Sequence, residues 1–436
     1  MSHDQEALSK WQLLSLREAT REFPLRIDAA LAAPSSFAAT AQIPRLATLL
    51  DGALLVQEEL DSPRLGDLVA LAMDTFLTVG AGSEYRYYTE FLADALELIQ
   101  TLEGRGAAVS SHYLAAARFQ AGLANGDPVR RGFIERAVSI AHPGRERLVA
   151  QLTLARFCVD TSEYSQAREV LARCENALST DGAGFLRADF ETTTGLSYYY
   201  TDPTTAREHF EKAVRLGRQG PDVPAVTQPM ATALHYLGRL AAARGEHRAA
   251  IELFAEAEQC SDDYLTGHGY YHQRIAEILI DHGPADDARY HLRRAEETFA
   301  LVGQRSNGYQ LLQGTWARWH LRQGETVEAS KILNTAITAA QRERAPRVQL
   351  VLMAELLRVR WRQHRLISMA GLLAGAVVVY LSGEVGGGVR GMARQGVTVL
   401  RMSLRFFIPQ RKTATADGAE TSLRSCPCGT LHEDPP

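Results

Sequence analysis

His268 and His272 stand four residues apart, a spacing that puts two imidazoles on one helical face, as metal ligands require. No glutamate follows His268, and the residues between include Tyr270 and Tyr271, so the metalloprotease arrangement is missing. A packed or exposed histidine pair is the plainer reading. Cys426, Cys428 and His432 could chelate a metal or oxidise; the alternative is a short thiol-bearing tail without function. Gly386, Gly388 and Gly391 spell G-x-G-x-x-G. A dinucleotide site needs a strand before that motif and an acidic residue about 20 positions after it, and Arg411 stands there instead. There is no phosphate-binding G-x-x-x-x-G-K-[ST] loop and no G-x-S-x-G elbow. The expectation is a non-enzymatic protein with no catalytic residue, cofactor or resident metal.

Binding is the remaining chemistry. Tyr198, Tyr199 and Tyr200, or Trp316 and Trp319, could line a concave ligand surface, although aromatic residues at helical spacing more often fill core between repeats. The elements that must carry them are helices. From Asp4 to Arg365 apolar residues recur at three and four, and strand-type alternation is missing. Pro63, Gly104, Pro143, Pro203, Gly220, Pro224, Gly283 and Gly324 punctuate the periodic stretches. Ser62-Pro63, Asp127-Pro128 and Asp202-Pro203 each set a capping side chain before a proline at the first helical position.

One spacing repeats: a small residue, alanine twelve positions on, a large apolar residue four later and a small residue three after that. The clearest copy is Gly238, Ala250, Phe254, Ala257. Others are Ala155, Ala167, Leu171, Cys174; then Ala276, Ala288, Leu292, Ala295; then Ala317, Ala329, Leu333, Ala336. The copy Gly195, Ala206, Phe210, Ala213 has one residue fewer in its turn, and a worn copy places Ile134 and Ala137 at the last two positions. Small residues let two antiparallel helices approach closely, and the large residue fills the remaining space. One such pair cannot bury its apolar stripe alone, so pairs stack.

This pattern resembles the tetratricopeptide repeat family over about Leu148 to Gln341. The resemblance implies an α-solenoid that binds a protein or peptide on its surface. The alanines at 167, 206, 250, 288 and 329 lie 38 to 44 residues apart, longer than the family's usual unit, and the closing proline is mostly missing. Long units resemble the subtype found in bacterial signal-sensing regulators.

A formal charge of −4 over 436 residues is too small to make the whole chain a polyanion binder. Lysine is limited to Lys10, Lys212, Lys331 and Lys412 against abundant arginine, which reads as codon bias in a GC-rich genome. The cysteines Cys158, Cys174, Cys260, Cys426 and Cys428 are too sparse to staple a fold and suit a reducing compartment. The opening MSHDQEALSKW lacks the basic and apolar regions of a signal peptide.

After a capping helix at 343–365, the stretch Leu366–Gly383 is uncharged over 18 residues and contains Gly371 and Gly375 as G-x-x-x-G. It is expected to be a transmembrane or membrane-inserted helix that could self-associate through those glycines; the alternative is a buried helix finishing the solenoid. Residues 384–412 read as a glycine-rich turn and an amphipathic helix whose Arg390, Arg394, Arg401 and Arg405 form a membrane-surface stripe. No aromatic interleaving accompanies those arginines, so no nucleic acid is expected. Residues 413–436 read as a disordered tail.

The expected fold class is therefore all-α: stacked antiparallel helix pairs at 111–342 behind an N-terminal helical region at 1–110, followed by a hydrophobic helix and a basic amphipathic helix. The expected function is an interaction scaffold tethered to the cytoplasmic side of the membrane, with lipid contact through 366–408. The alternative is a soluble, cytoplasmic sensor that binds a peptide or small ligand and controls a partner regulator.

Overall fold

The computed structural model describes residues 24–32, 43–55, 57–79, 85–123, 128–180, 184–220, 224–260, 265–302, 307–342 and 345–381, and positions 423 and 426. All the regular structure among them is helical. The chain divides into two compact units, Met1–Leu154 and Ala155–Pro436. The stripe Arg390, Arg394, Arg401 and Arg405, the Gly386–Gly391 motif, Cys428 and His432 lie outside the described residues.

The first unit contains α1 (24–32), α2 (Ile43–Leu55), α3 (Ser62–Val79), α4 (Tyr85–Gly104), α5 (Ser110–Leu123), α6 (Pro128–Ile140) and the start of α7 (Arg145–Asp160). Its core joins Leu50, Leu65, Leu68, Phe91, Leu98 and Ile99. The cap on α3 is Asp61, whose carboxylate accepts the Arg64 N–H at 2.9 Å. Ser62, expected in that role, is already helical, because the aspartate one residue earlier reaches the free N–H groups. Ile134 and Ala137, the worn copy, are fully buried on α6.

The second unit is a series of antiparallel pairs. They are the end of α7 with α8 (Tyr164–Thr180), α9 (Gly184–Tyr198) with α10 (Pro203–Gln219), and α11 (Pro224–Ala243) with α12 (His247–Gln259). Next come α13 (Leu265–His282) with α14 (Ala285–Val302), α15 (Asn307–Arg322) with α16 (Thr326–Arg342), and α17 (Pro346–Arg362) with α18 (Leu366–Leu381). Each first helix from α9 to α15 also packs on the first helix of the next pair. Asp202 caps α10 by accepting the N–H groups of Thr204 and Thr205, both at 3.2 Å, with Pro203 at the first helical position.

The repeat residues lie at the contacts inside the pairs. Ala206, Phe210, Ala213, Ala250, Ala257, Ala276, Ala288, Leu292, Ala295, Ala329 and Leu333 are completely buried, and Phe254, Ala317 and Ala336 nearly so. A Cβ added to Gly195 would lie 2.6 Å from a Phe210 ring carbon, and one added to Gly238 would lie 2.6 Å from a Phe254 ring carbon. Glycine thus accompanies phenylalanine, and the copies with Ala155, Ala276 and Ala317 carry leucine at 171, 292 and 333. One methyl group on the first helix is exchanged for a smaller filler on the second.

Four of the six turns inside the pairs share a geometry. Ser162, Gly245, Gly324 and His364 all have positive φ, at 65°, 83°, 84° and 54°. In each, the next N–H donates to a carbonyl five residues back: Glu163 to Cys158, Glu246 to Ala241, Glu325 to His320 and Arg365 to Arg360. This is the closure of a helix by one left-handed residue, with orphan carbonyls satisfied by the following amides.

The last of these turns corrects the membrane expectation. His364 ends α17 and starts α18, so residues 366–381 form the second helix of a further pair. At 16 residues, α18 spans about 24 Å, short of a hydrocarbon core of about 30 Å. No helix among the described residues is long and apolar enough to cross a membrane. Met369 is buried, and Leu372 packs on the core formed by α15, α16 and α17. The two glycines do not share an interface in the chain: a Cβ on Gly375 would lie 3.3 Å from Met353 Cε, while none of the neighbouring atoms comes within 4 Å of one on Gly371. Lipid contact and self-association through Gly371 and Gly375 thus find no support here.

His364 is exposed and holds a backbone shape that costs an L-residue free energy glycine does not incur. His364→Gly is expected to stabilise the protein by about 0.5–1 kcal/mol in urea unfolding. A loss of stability of similar size would show that the imidazole, not the turn, matters.

Candidate functional site

Side chains on the first helices of the second unit form a continuous polar row. Helical spacing puts His235 and Arg239 on one face of α11, Gln273, Arg274, Glu277 and Asp281 on one face of α13, and Glu355 and Arg358 on one face of α17. Thr315 and Arg318 supply α15. Because neighbouring first helices pack together, these faces adjoin.

The contacts run from helix to helix. The Arg239 guanidinium lies 5.1 Å from the ring centres of both Tyr199 and Tyr236, at cation–π range. Gln273 Nε2 donates to Thr315 Oγ1 at 3.0 Å, and that hydroxyl lies 3.4 Å from Glu277 Oε1. Arg274 pairs with Glu277 at 2.6 Å, Arg318 with Asp281 at 2.6 Å and Arg358 with Glu355 at 3.0 Å. The row is half-buried: the side chains of Arg274, Glu277 and Arg318 are 27%, 22% and 20% exposed.

Several polar atoms there remain unmet. His235 Nδ1, Gln273 Oε1 and Arg274 Nε are buried with no hydrogen-bond partner, and Gln273 is only 2% exposed. Buried polar groups without partners are costly, and a bound ligand or an ordered water can meet them.

The charge states follow from position. Burial, reinforced by Arg239 and Arg274, pushes the His235 imidazole well below its ordinary range, so it is neutral at pH 7. Burial would raise the Glu277 carboxyl, but Arg274 and Arg318 outweigh it and hold it below the ordinary carboxylate range. Burial pushes the Glu355 carboxyl up, against the pull of Arg318 and Arg358. With four arginines, three carboxylates and uncommitted amide and imidazole atoms, the row can hold polar and charged groups of a ligand.

His268 and His272 both face the Glu258 carboxylate, at different depths. His272 is buried, with Nδ1 2.8 Å from His291 Nδ1 and Nε2 3.0 Å from Glu258 Oε1. His268 lies 3.9 Å from the same carboxylate oxygen. No group of side chains able to hold a metal occurs among the described residues. Among the aromatic clusters, Tyr199 stands edge-on to Tyr236 and beneath Arg239, at the row. Trp319 instead donates its indole N–H to the Ala285 carbonyl at 3.1 Å, tying one pair to the next. Cys158 and Cys174 are buried, and burial pushes the Cys174 thiol up to about 11. The polar row escapes a reading based on apolar periodicity, because charges three and four apart resemble a solvated face. The available signal was charge on the first helix of each pair, where a solenoid presents a surface.

No protein-family model matches the chain. No curated protein sequence matches it. Among solved structures, a Rap protein complexed with competence and sporulation factor aligns with a TM-score of 0.56 and 10% identity, over 83% of this chain and 98% of that one. The apo form of RapI aligns at 0.44 and 14% identity, over 62% and 97%. A signal-transduction ATPase with a tetratricopeptide repeat sensor from Pyrococcus horikoshii aligns at 0.48 and 13% identity, over 89% and 53%. At 10% identity the first likeness is one of architecture, and it agrees with the pairs described above: the chain has a tetratricopeptide-like helical-repeat fold.

Proposed function

We propose that the chain is a regulatory helical-repeat protein that binds an extended protein or peptide segment across the first helices of its second unit. The carrying observation is the half-buried row from Arg239 to Arg358, in which Gln273 Oε1, Arg274 Nε and His235 Nδ1 have no partner within the protein. An extended peptide offers an N–H and a C=O at every residue, which is what such unmet atoms can use. The Rap protein of the same architecture, crystallised with competence and sporulation factor, supports ligand sensing as the role of such an array. The repeat residues from Gly195 to Ala336 serve as the rigid frame that fixes the spacing of the row.

Selection of a random dodecapeptide display library on the full chain, followed by fluorescence anisotropy, tests the assignment. Gln273→Leu and Arg274→Gln are each expected to weaken the selected peptides about tenfold, on the order of one lost hydrogen bond to a buried or charged group. Selected peptides that bind both variants as well as the parent would remove the row from the binding site.

A further inference from the structure

The turn between α13 and α14 differs from the four turns closed by a left-handed residue, and for a covalent reason. Glu163, Glu246, Glu325 and Arg365 follow the left-handed residue of their turns, and the N–H of each closes the helix. Here Pro284 follows Gly283, and proline has no N–H to give. Leu279 still accepts the Gly283 N–H at 2.9 Å, but the later carbonyls of α13 need donors from elsewhere. Arg322 supplies three of them, to Leu279 at 2.8 Å, Ile280 at 2.5 Å and Gly283 at 2.9 Å. The His282 carbonyl is met by the main-chain N–H of Leu423, at 2.8 Å.

A second main-chain bond lies three residues further on. The Cys426 N–H donates to Asp287 Oδ2, in the first turn of α14, at 2.8 Å. Cys426 is 3% exposed, and Leu423 packs against the core of the repeats. The Cys426 sulfur, held in a disulfide, rests 3.5 Å from His291 Nε2. Asp287 and His291 are four apart on α14 and so share one face. Behind His291 stand His272 and Glu258, hydrogen-bonded in line, which fix the imidazole floor.

We infer that the α13–α14 hairpin is a built acceptor site for a peptide segment, and that the chain's own Leu423 and Cys426 are its resident ligand. The site reads two amides three residues apart through a helix-end carbonyl and a carboxylate, with an apolar seat for the first side chain. Because the ligand belongs to the same chain, its effective concentration is high, and a free segment of the same pattern has to compete with it. The side chains involved are not those of the row on the first helices. Failure of one assignment therefore leaves the other standing.

The test uses the full chain and a fluorescein-labelled peptide of residues 418–430, with cysteines oxidised, in fluorescence anisotropy. In the full chain, Leu423→Asp puts a charge on the apolar seat and empties the site without touching the repeats. That variant is expected to bind the peptide at least about tenfold more tightly than the unaltered chain, whose site is occupied. A peptide N-methylated at the Cys426 nitrogen, which lacks the donor to Asp287, is expected to lose about tenfold, on the order of one charge-assisted hydrogen bond. Equal binding by the variant and the unaltered chain, absence of binding by both, or indifference to N-methylation would each overturn the inference.

Discussion

Gly238→Ala is expected to lower stability by about 1–3 kcal/mol, and Phe254→Leu in the same chain to restore most of it. The new methyl would stand 2.6 Å from Phe254 Cε1, 2.9 Å from Cδ1 and 3.0 Å from Cζ, distances that real contacts do not sustain. Phe254 has nowhere to retreat: it is 1% exposed, and His235 lies 5.5 Å from it, ring centre to ring centre. Either the ring leaves its rotamer or the two helices separate, and both disturb a close-packed interior. Leucine at 254 removes the colliding ring carbons and reproduces the alanine–leucine combination of the Ala276 and Ala317 copies. Urea unfolding of both single variants and the double variant gives the coupling, expected at about 1 kcal/mol or more in favour of the pair. Simple additivity would show that Gly238 is kept for some reason other than Phe254. Gly245→Ala is the control. Its cost comes from φ of 83° with no neighbour in the way, so Phe254→Leu should leave it unchanged.

Arg322→Ala should cost about 1.5–3 kcal/mol, a large effect for an exposed residue, since charged hydrogen bonds to the end of α13 are lost. Its guanidinium reaches the carbonyls of Leu279, Ile280 and Gly283 across the gap between two pairs. It stands in for the amide that Pro284 cannot supply, and places positive charge where the helix macrodipole is negative. Arg322→Lys should recover less than half of the loss, because a single ammonium cannot match a planar fork spanning three acceptors. Hydrogen exchange should localise the damage to the last turn of α13. Full recovery by lysine would reduce the role of Arg322 to its charge alone.

The pairing of helices was readable because it is a local matter. A small residue, a turn and an alanine twelve positions later lie within one hairpin, and Ala250, Phe254 and Ala257 lie where that spacing sends them. The pair α17–α18 was harder to see. It has Leu357 and Met369 where the other copies have small residues, and its turn carries His364 in place of glycine. Without those marks, an uncharged stretch has the composition of a membrane helix. Its length and the docking of Met369 and Leu372 are what place it among the repeats.

The polar row and the acceptor site depend on residues far apart in the chain. Nothing in the run from Gln273 to Asp281 says that Thr315 and Arg318 will face it, since that follows from the stacking of α13 on α15. Nothing near Pro284 says that its missing N–H will be replaced by Arg322 and by Leu423. By itself, then, the sequence determined the helices, their pairing and the close approach within each pair, because steric fit and hydrophobic period act over one hairpin. Tertiary structure alone decided which polar faces adjoin, where α18 belongs and what completes the end of α13. Unmet carbonyls and charges are satisfied by whatever the stacking brings within 3 Å or so, and no local pattern records that.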